Sequence, residues 1–341
     1  MKKKILMMAA DAPPYKGGIA RLVGILSDKL RSRGHRVTVL APRFRIGEFK
    51  PSLIPFRRYD GYDVIHLHGP TPLLSDIALF MTNRGLPPIV YTHHCEPSWL
   101  SEKLSRIYRK FHRSLARRAK AIIVSSSEYM QLFDGFRCFL IRIPCPFEIP
   151  MNFSIEEKAD KPFTVLFVGQ FRSYKGLGLL LRVANILKDV RFILVGEGYL
   201  KPKLVSEVRI RGLRNVEIRS ANNDEVLKKL YMGAHVICLP SINTSEAWGI
   251  VLNEGALYGC VPIASNLPGV RENVSLLRGL TFERGSYVSL AAKIKYLSED
   301  INLWLDCARS SQEAAIRYAK VYTPDYYARE HEKVYESLHN V

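Results

Sequence analysis

Two glutamates, Glu246 and Glu254, stand eight positions apart in SEAWGIVLNE. They bracket the start of an apolar stretch whose pattern predicts a helix from about Trp248 to Tyr258, stopped by Gly259. Glu246 then lies in the loop before the helix and Glu254 on its second turn. Between them come the N–H groups of Trp248 to Val251, which have no intrahelical acceptor and present a row of donors to an anion. A carboxylate can accept two hydrogen bonds from a vicinal diol, and the N–H row suits a diphosphate, so the set matches a diphosphate joined to two polyols. By itself the pair more often means two solvated surface glutamates, so its setting decides.

That setting is VICLPS (236–241), a short apolar strand stopped by proline, and GCVPIAS (259–265), a second strand. Strand, loop, helix, strand is the unit of a parallel α/β sheet, in which ligands bind beyond the carboxyl ends of strands. A second such loop, GQFRSYKG (169–176), carries Arg172 and Lys175. Two fixed cations beside a departing diphosphate stabilise the transition state more than the ground state, because charge grows as the bond breaks. Arginine can grip it bidentately; lysine acts as a point charge. In isolation these too would be ordinary surface cations.

The 35 residues LPSINTSEAWGIVLNEGALYGCVPIASNLPGVREN (239–273) resemble, without a gap, the signature region of the retaining glycosyltransferases of family 4, the glycosyl transferases group 1. The resemblance implies that Glu246 and Glu254 bind the donor sugar and the nucleotide ribose. It implies that Ala247, Trp248, Gly249 and Ile250 line the donor, and that Arg172 and Lys175 clamp the diphosphate. In YTHHCEP (91–97), His94 resembles by register the family histidine beside the reacting sugar. His93 and Cys95 next to it do not suggest a metal, since adjacent side chains at a strand end point apart. FILVGEGYLKPKL (192–204) resembles the segment near the nucleotide base, where contacts come from backbone.

The implied fold is α/β, of GT-B type, with two Rossmann-like domains facing each other across a cleft. The implied activity is metal-independent transfer of a hexose, with retained configuration, from a nucleotide-diphosphate sugar to an acceptor hydroxyl; the donor is a co-substrate and no cofactor is required. No covalent nucleophile stands out, and the resemblance implies front-face attack in which the departing diphosphate helps deprotonate the acceptor. No two aspartates stand two apart, so there is no D-x-D to bridge a divalent ion to the diphosphate. Arg172, Lys175 and the helix N-terminus would replace it. The alternatives are another GT-B enzyme, a sugar-nucleotide epimerase or a phosphorylase, or a catalytically silent scaffold subunit. Epimerases of this fold lack the SEAWG-type segment, a phosphorylase needs inorganic phosphate, and an intact Glu246, Glu254, Arg172 and Lys175 set argues against silence.

The elements that must position these residues start the same pattern twice. KILMMAA (4–10), a loop ending in Gly17-Gly18, a helix from about Ile19 to Arg33 and HRVTVLA form one βαβ unit; TVLFVGQ (164–170), a helix from about Leu177 to Lys188 and VRFILVG form the other. Gly17-Gly18 allows a ligand close to the backbone at a helix start, though a tight turn explains it equally. In DVIHLHG, His66 and His68 share one strand face. His68, at the strand end, either lines the acceptor side or is a structural histidine. The length of 341 residues suits two domains. Residues 1–150 are expected to bind the acceptor and 160–322 the nucleotide sugar, with the boundary in FEIPMNFSIEEKADKPF (147–163). TPDYYAREHEKVYESL (323–338) resembles the terminal helix that in GT-B enzymes returns to the first domain.

At 47% hydrophobic and 24% charged the chain is globular, and no apolar run approaches the roughly 20 residues that span a bilayer. The six apolar residues after MKKK meet Asp11 and two prolines, which suits a first strand better than a secretion signal. Six cysteines without a C-x2-C pair read as reduced thiols in a cytoplasmic protein. Cationic excess is concentrated early: residues 1–150 hold 25 Lys and Arg against 11 Asp and Glu, and the remainder 25 against 21. Within EKLSRIYRKFHRSLARRAK (102–120), Leu104, Ile107, Tyr108, Phe111 and Leu115 form one helical stripe and Lys103, Arg106, Lys110, Arg113 and Arg117 another. Either the apolar stripe is buried in the core beneath a solvated cationic face, or the helix meets an anionic membrane surface. Nucleic acid is not expected, because no recognition motif accompanies the charge. The segment 41–63 mixes Phe44, Phe49, Leu53, Ile54 and Phe56 with Arg43, Arg45, Lys50, Arg57 and Arg58, as a loop that dips into lipid does. The expectation is a peripheral enzyme on the cytoplasmic face of a membrane, with a lipid-linked or membrane-proximal saccharide as acceptor.

Overall fold

The computed structural model of the chain describes residues 2–15, 17–41, 59, 61–82, 86–98, 101–149, 154–220 and 223–338. It divides into two compact units, Met1–Pro146 with Tyr322–Val341, and Phe147–Val321. The aromatic and cationic residues named between 42 and 58 lie outside the described residues.

The first unit runs β1 (Lys4–Ala9), α1 (Gly18–Ser32), β2 (Arg36–Leu40), β3 (Val64–Gly69), α2 (Leu74–Phe80), β4 (Ile89–His93), α3 (Glu102–Ala116), β5 (Ala121–Val124), α4 (Ser127–Met130) and β6 (Phe139–Arg142). Its six strands form one parallel sheet in the order β2-β1-β3-β4-β5-β6. β3, β4 and β5 are buried along their whole lengths, as strands covered on both faces must be. The second unit runs β7 (Thr164–Val168), α5 (Leu177–Ile186), β8 (Arg191–Val195), α6 (Lys201–Ile210), β9 (Val216–Arg219), α7 (Asp224–Gly233), β10 (Val236–Leu239), α8 (Ile250–Leu257), β11 (Val261–Ser265), α9 (Val270–Leu276), β12 (Leu280–Phe282), α10 (Tyr287–Ser298) and α11 (Ile301–Val321). Its parallel order is β12-β11-β10-β7-β8-β9. The last helix, α12 (Pro324–Ser337), belongs to the first unit, where Tyr327, Ala328, Val334 and Tyr335 share a core with Ile5, Met7, Leu26 and Leu30. Thr323 caps it by accepting from the Tyr326 N–H, and Pro324 occupies its first turn.

Two elements depart from the sequence expectation. α8 begins at Ile250 rather than near Trp248, because Gly249 takes the left-handed conformation, φ 75°, which no right-handed helix contains. A Cβ there would also meet Leu239 Cδ2 at 2.5 Å. In α3 the apolar stripe is split: Leu104, Ile107 and Phe111 are 51%, 57% and 54% exposed, whereas Tyr108 is half-buried and Leu115 buried. With Leu115 the helix buries Ser105, His112 and Ala116, and Asp76 on α2 and Tyr91 on β4 supply the polar partners of His112. Lys103, Arg106, Lys110 and Arg117 are exposed beside the apolar residues, whereas Arg113 is half-buried.

In the second sheet β7 and β10 are neighbours although three strands apart in sequence order, which makes their carboxyl ends a switch point, where connections leave in opposite directions. The loops that leave these two ends are held together by Gly176. Its φ is 68°, and a Cβ would stand 2.0 Å from the carbonyl oxygen of Pro240. Beside it the Ile242 N–H donates to the Tyr174 carbonyl at 2.7 Å. Gly176→Ala therefore carries both left-handed strain, about 1–2 kcal/mol, and a backbone overlap that only loop separation relieves. Chemical denaturation should show a loss of at least that size. A stability within error of the parent would mean that the loops do not depend on this contact.

Candidate active site

At the β7 end, Gly169 and the short turn Ser173–Lys175 lead into α5. Lys175 Nζ forms an ion pair with Glu246 Oε2, from the loop after β10, and Ser241 Oγ donates to the same oxygen at 3.1 Å. Both contacts use Oε2, so Oε1 of Glu246 has no partner among the described residues. Both side chains are only 12% exposed. Burial alone would lower the Lys175 pKa; the Glu246 carboxylate outweighs it and raises the pKa above its usual value, so the ammonium keeps its charge. Sequence reasoning named both residues and did not foresee that they would pair. The half-buried Arg172 guanidinium has no hydrogen-bond or carboxylate partner among the described residues.

Glu246 is followed by the turn into α8. Ala247 and Trp248 are 9% and 4% exposed, and the indole packs near the Tyr318 ring, so what this turn can present to a ligand is backbone. With the helix starting at Ile250, the Leu252 N–H is taken by the Gly249 carbonyl, and the leading donors are those of Ile250 and Val251. Asn273 of α9 donates to the Trp248 carbonyl at 2.9 Å and to Asn253 Oδ1 at 2.7 Å, holding the turn. Glu254 is half-buried and accepts from the Tyr231 hydroxyl at 2.7 Å. Ser241, Tyr231 and Asn273 were not singled out from the sequence. Ser241 and Asn273 lay within the resembling segment, and nothing in their spacing marked them; Tyr231 lay outside it.

The first unit holds the histidines. Gly17 caps α1 with extended backbone and no side chain, and Gly18 is the first helical residue. His66 and His68 share a face of β3, with ring centroids 4.2 Å apart. His68 is 2% exposed, so it does not line a surface; its Nδ1 lies 3.0 Å from His94 Nε2. His66 joins the Tyr335 hydroxyl at 2.8 Å and the Thr92 hydroxyl at 2.7 Å, and His331 Nδ1 donates to the Tyr327 carbonyl at 2.7 Å. Tyr335 and His331 sit on α12, too far along the chain for any local pattern to connect them with β3. His93 points the other way, toward Tyr91 (3.1 Å), which itself meets His112 at 2.8 Å, and His112 Nδ1 lies 2.6 Å from Asp76. No group of three or more His, Cys, Asp or Glu among the described residues is placed to hold a metal ion. No helix among them is long and apolar enough to cross a membrane, and all six cysteines are free thiols.

Two parallel six-stranded sheets with helices on their faces, in these strand orders, define the class: this is the GT-B fold. Among solved structures, sucrose-phosphate synthase from Thermosynechococcus elongatus superposes with TM-score 0.81 over 99% of each chain at 17% identity. HepE from Anabaena, in complex with UDP, superposes with TM-score 0.74 over 98% of this chain and 100% of its own at 19% identity. The Glycosyl transferases group 1 profile matches residues 149–320, and the Glycosyltransferase Family 4 profile matches residues 45–138. The chain belongs to the glycosyl transferases group 1 family.

Its curated relatives include the D-rhamnosyltransferase WbpZ of Pseudomonas aeruginosa, 30% identical over 60% of this chain and 55% of WbpZ. The O-antigen chain mannosyltransferase C of Escherichia coli is 30% identical over 66% of this chain and 63% of its own. Phosphatidyl-myo-inositol mannosyltransferase of Mycobacterium tuberculosis is 26% identical over 75% of each. The chain thus spans less than two thirds of the length of either of these first two relatives, 55% and 63%.

The buried histidines set an acid limit. Burial holds His66 and His68 well below the usual imidazole pKa, His94 at about 3 and His331 at about 4. In the unfolded chain each titrates near 6.5. Below that pH the unfolded state binds protons that the folded state refuses, so the stability present above 6.5 is lost as pH falls toward 4. Urea midpoints should be level above about pH 7 and drop steadily from 6.5 to 4, with a shallower drop in His331→Gln. A pH-independent midpoint would show that these rings do not remain neutral in the fold.

Proposed function

We propose that the chain is a metal-independent retaining glycosyltransferase. It moves a hexose from a nucleotide-diphosphate sugar to a hydroxyl of a lipid-linked or membrane-proximal saccharide, on the cytoplasmic face of a membrane. The observation that carries this reading is the switch point of the second unit, where the Lys175–Glu246 pair, the unpaired Arg172 and the leading N–H groups of α8 come from two clamped loops. UDP and UDP-glucose in HepE support a nucleotide-diphosphate donor, and the names of the relatives support a hexose transfer to lipid-linked or polymeric glycans.

On this reading Arg172 and Lys175 take the diphosphate, with Ala247, Trp248, Gly249 and Ile250 lining the donor through backbone. The open Oε1 of Glu246 accepts from the donor sugar. Glu254, steadied by Tyr231, accepts from the ribose diol. In the first unit the proposed contacts are His94, to a sugar hydroxyl, and the N–H groups of Gly17-Gly18, to an anionic oxygen. The bond from the anomeric carbon to the diphosphate breaks, a bond to the acceptor oxygen forms on the same face, and the acceptor proton passes to the departing phosphate oxygen. The two cations stabilise the charge that develops on that leaving group.

A thermal-shift screen with nucleoside diphosphates and their hexose conjugates identifies the donor, since a ligand that binds only the folded state raises Tm. With that donor, Arg172→Ala and Lys175→Ala should each lower kcat by about 100-fold or more while leaving the circular dichroism unchanged. Near-normal turnover in both overturns the assignment. Glu254→Ala should weaken nucleotide binding by about tenfold at little cost to kcat, because the ribose contact is the same in ground and transition states. An unchanged affinity would remove that role.

The membrane part of the reading rests on α3, whose outer face interleaves Leu104, Ile107 and Phe111 with Lys103, Arg106, Lys110 and Arg117. An apolar ridge flanked by cations suits insertion at the boundary of an anionic leaflet, where each cation contributes roughly 1 kcal/mol and each apolar side chain adds a salt-independent part. Arg113, half-buried, contributes least. The chain should co-sediment with phosphatidylserine vesicles and less with phosphatidylcholine vesicles. Salt should weaken the binding, and replacing Leu104, Ile107 and Phe111 by serine should abolish what remains at high salt. Equal, salt-insensitive failure on both vesicle types would leave a water-soluble acceptor.

A further inference from the structure

His68 and His94 share one hydrogen bond, His68 Nδ1 to His94 Nε2 at 3.0 Å, and one proton must lie in it. Each ring, being neutral, carries a single N–H, so the direction of that bond fixes both tautomers. If His94 donates from Nε2, then His68 must carry its proton on Nε2. That atom is buried with no hydrogen-bond partner, so the arrangement would leave an enclosed N–H without an acceptor. If His68 donates from Nδ1, its Nε2 is a bare lone pair. Orphaned buried donors are the rarer and costlier case. The second arrangement leaves the His94 proton on Nδ1. This nitrogen has no partner among the described residues and is not among the enclosed polar atoms.

We infer that His68 is a positioning residue. It donates to His94 Nε2 and so presents His94 as a neutral ring with an outward Nδ1–H, a hydrogen-bond donor rather than a proton acceptor. His68 is itself held in place by its packing on the His66 ring at 4.2 Å, and His66 is anchored to Tyr335 of α12 and to Thr92 of β4. The His94 backbone is fixed by its N–H bond of 2.7 Å to the Gly69 carbonyl, one residue past His68. The functional consequence rests on the reading that His94 touches the donor sugar: the ring would then give a hydrogen bond to a sugar oxygen and take no proton from the acceptor hydroxyl.

The test is long-range proton–nitrogen NMR of the full chain labelled with ¹⁵N-imidazole histidine, in which the His94 signals are assigned by their loss in His94→Gln. The expected result is a protonated Nδ1 and a bare Nε2 on His94, and a protonated Nδ1 on His68. A protonated Nε2 on His94 overturns the inference. In His68→Leu, which removes the donor, the His94 Nε2 nitrogen should lose its hydrogen bond and its ¹⁵N shift should move to that of an unbonded bare ring nitrogen. In His68→Asn, whose amide N–H can stand near the Nδ1 position, the wild-type Nε2 shift should be largely kept. An unchanged His94 Nε2 shift in His68→Leu would reduce His68 to packing; if that variant does not fold, the wild-type spectrum and His68→Asn still decide. Turnover with a panel of UDP- and GDP-hexoses provides the second readout. His68→Leu should lose about tenfold or more in kcat, the size of one hydrogen bond, and His68→Asn should recover most of it. If the tautomers are as stated and no hexose turns over in the parent, the proposed activity fails while the role of His68 in orienting His94 stands.

Discussion

The contact on which the second unit depends is the approach of the Gly176 Cα to the carbonyl of Pro240, closer than any residue with a Cβ allows. Through it the loop after β7 and the loop after β10 become one surface at the switch point of the sheet. The Lys175 ammonium and the Glu246 carboxylate then meet with little solvent between them. Neither charge would be stable there without the other, because an unpaired ion taken out of water carries a cost of several kcal/mol. The pair is therefore both the product of the backbone clamp and the reason that the clamp can be largely buried. Arg172, three residues earlier, has no partner for its guanidinium among the described residues.

The first unit solves a different problem, that of polar rings in an interior. His66, His68 and His331 are enclosed by the ends of β3 and β4 and by α12, with the half-buried His94 beside them, and all four remain neutral because a cation there would lose its hydration. Neutral imidazole is both donor and acceptor, so most ring nitrogens of the cluster pair with hydroxyls, a carbonyl or one another, while Nε2 of His68 and of His331 have no partner among the described residues. Tyr335 and Thr92 supply the hydroxyls and Tyr327 the carbonyl. On the other side of β4, Asp76, His112, Tyr91 and His93 form a second chain that ties α3 to the strand. With α3 anchored by these polar links and by the buried Leu115, Leu104, Ile107 and Phe111 are left at the surface. This is how a helix with a strong apolar stripe comes to face outward with part of it.

Much of the fold was legible in the chain. The strands of both sheets are short, apolar and spaced by helical stretches, and the paired βαβ starts at Lys4 and Thr164 lie within a residue or two of where the pattern puts them. Burial of strands on both faces needs only composition, and a parallel sheet follows from the alternation of elements. Glu246, Glu254, Arg172 and Lys175 stood out by their places in strand-end loops and around a helix start, which a sequence marks through glycine and proline, whereas the choice of His94 and the role given to each came from the resemblance to family 4.

What only the tertiary structure decided is which of those groups touch. Lys175 and Glu246 are 71 residues apart, His66 and Tyr335 are 269 apart, and no local periodicity carries information across such separations. The direction of a helix face belongs to the same class: a stripe of Leu104, Ile107 and Phe111 determines that the residues lie together, whereas whether they meet a core or solvent depends on what the neighbouring elements offer, here Asp76 and Tyr91. The start of α8 was misplaced by two residues for a related reason. The sequence alone determined that an anion-facing helix begins near a glutamate. The left-handed turn at Gly249, where a Cβ would overlap Leu239, decided which N–H groups lead it.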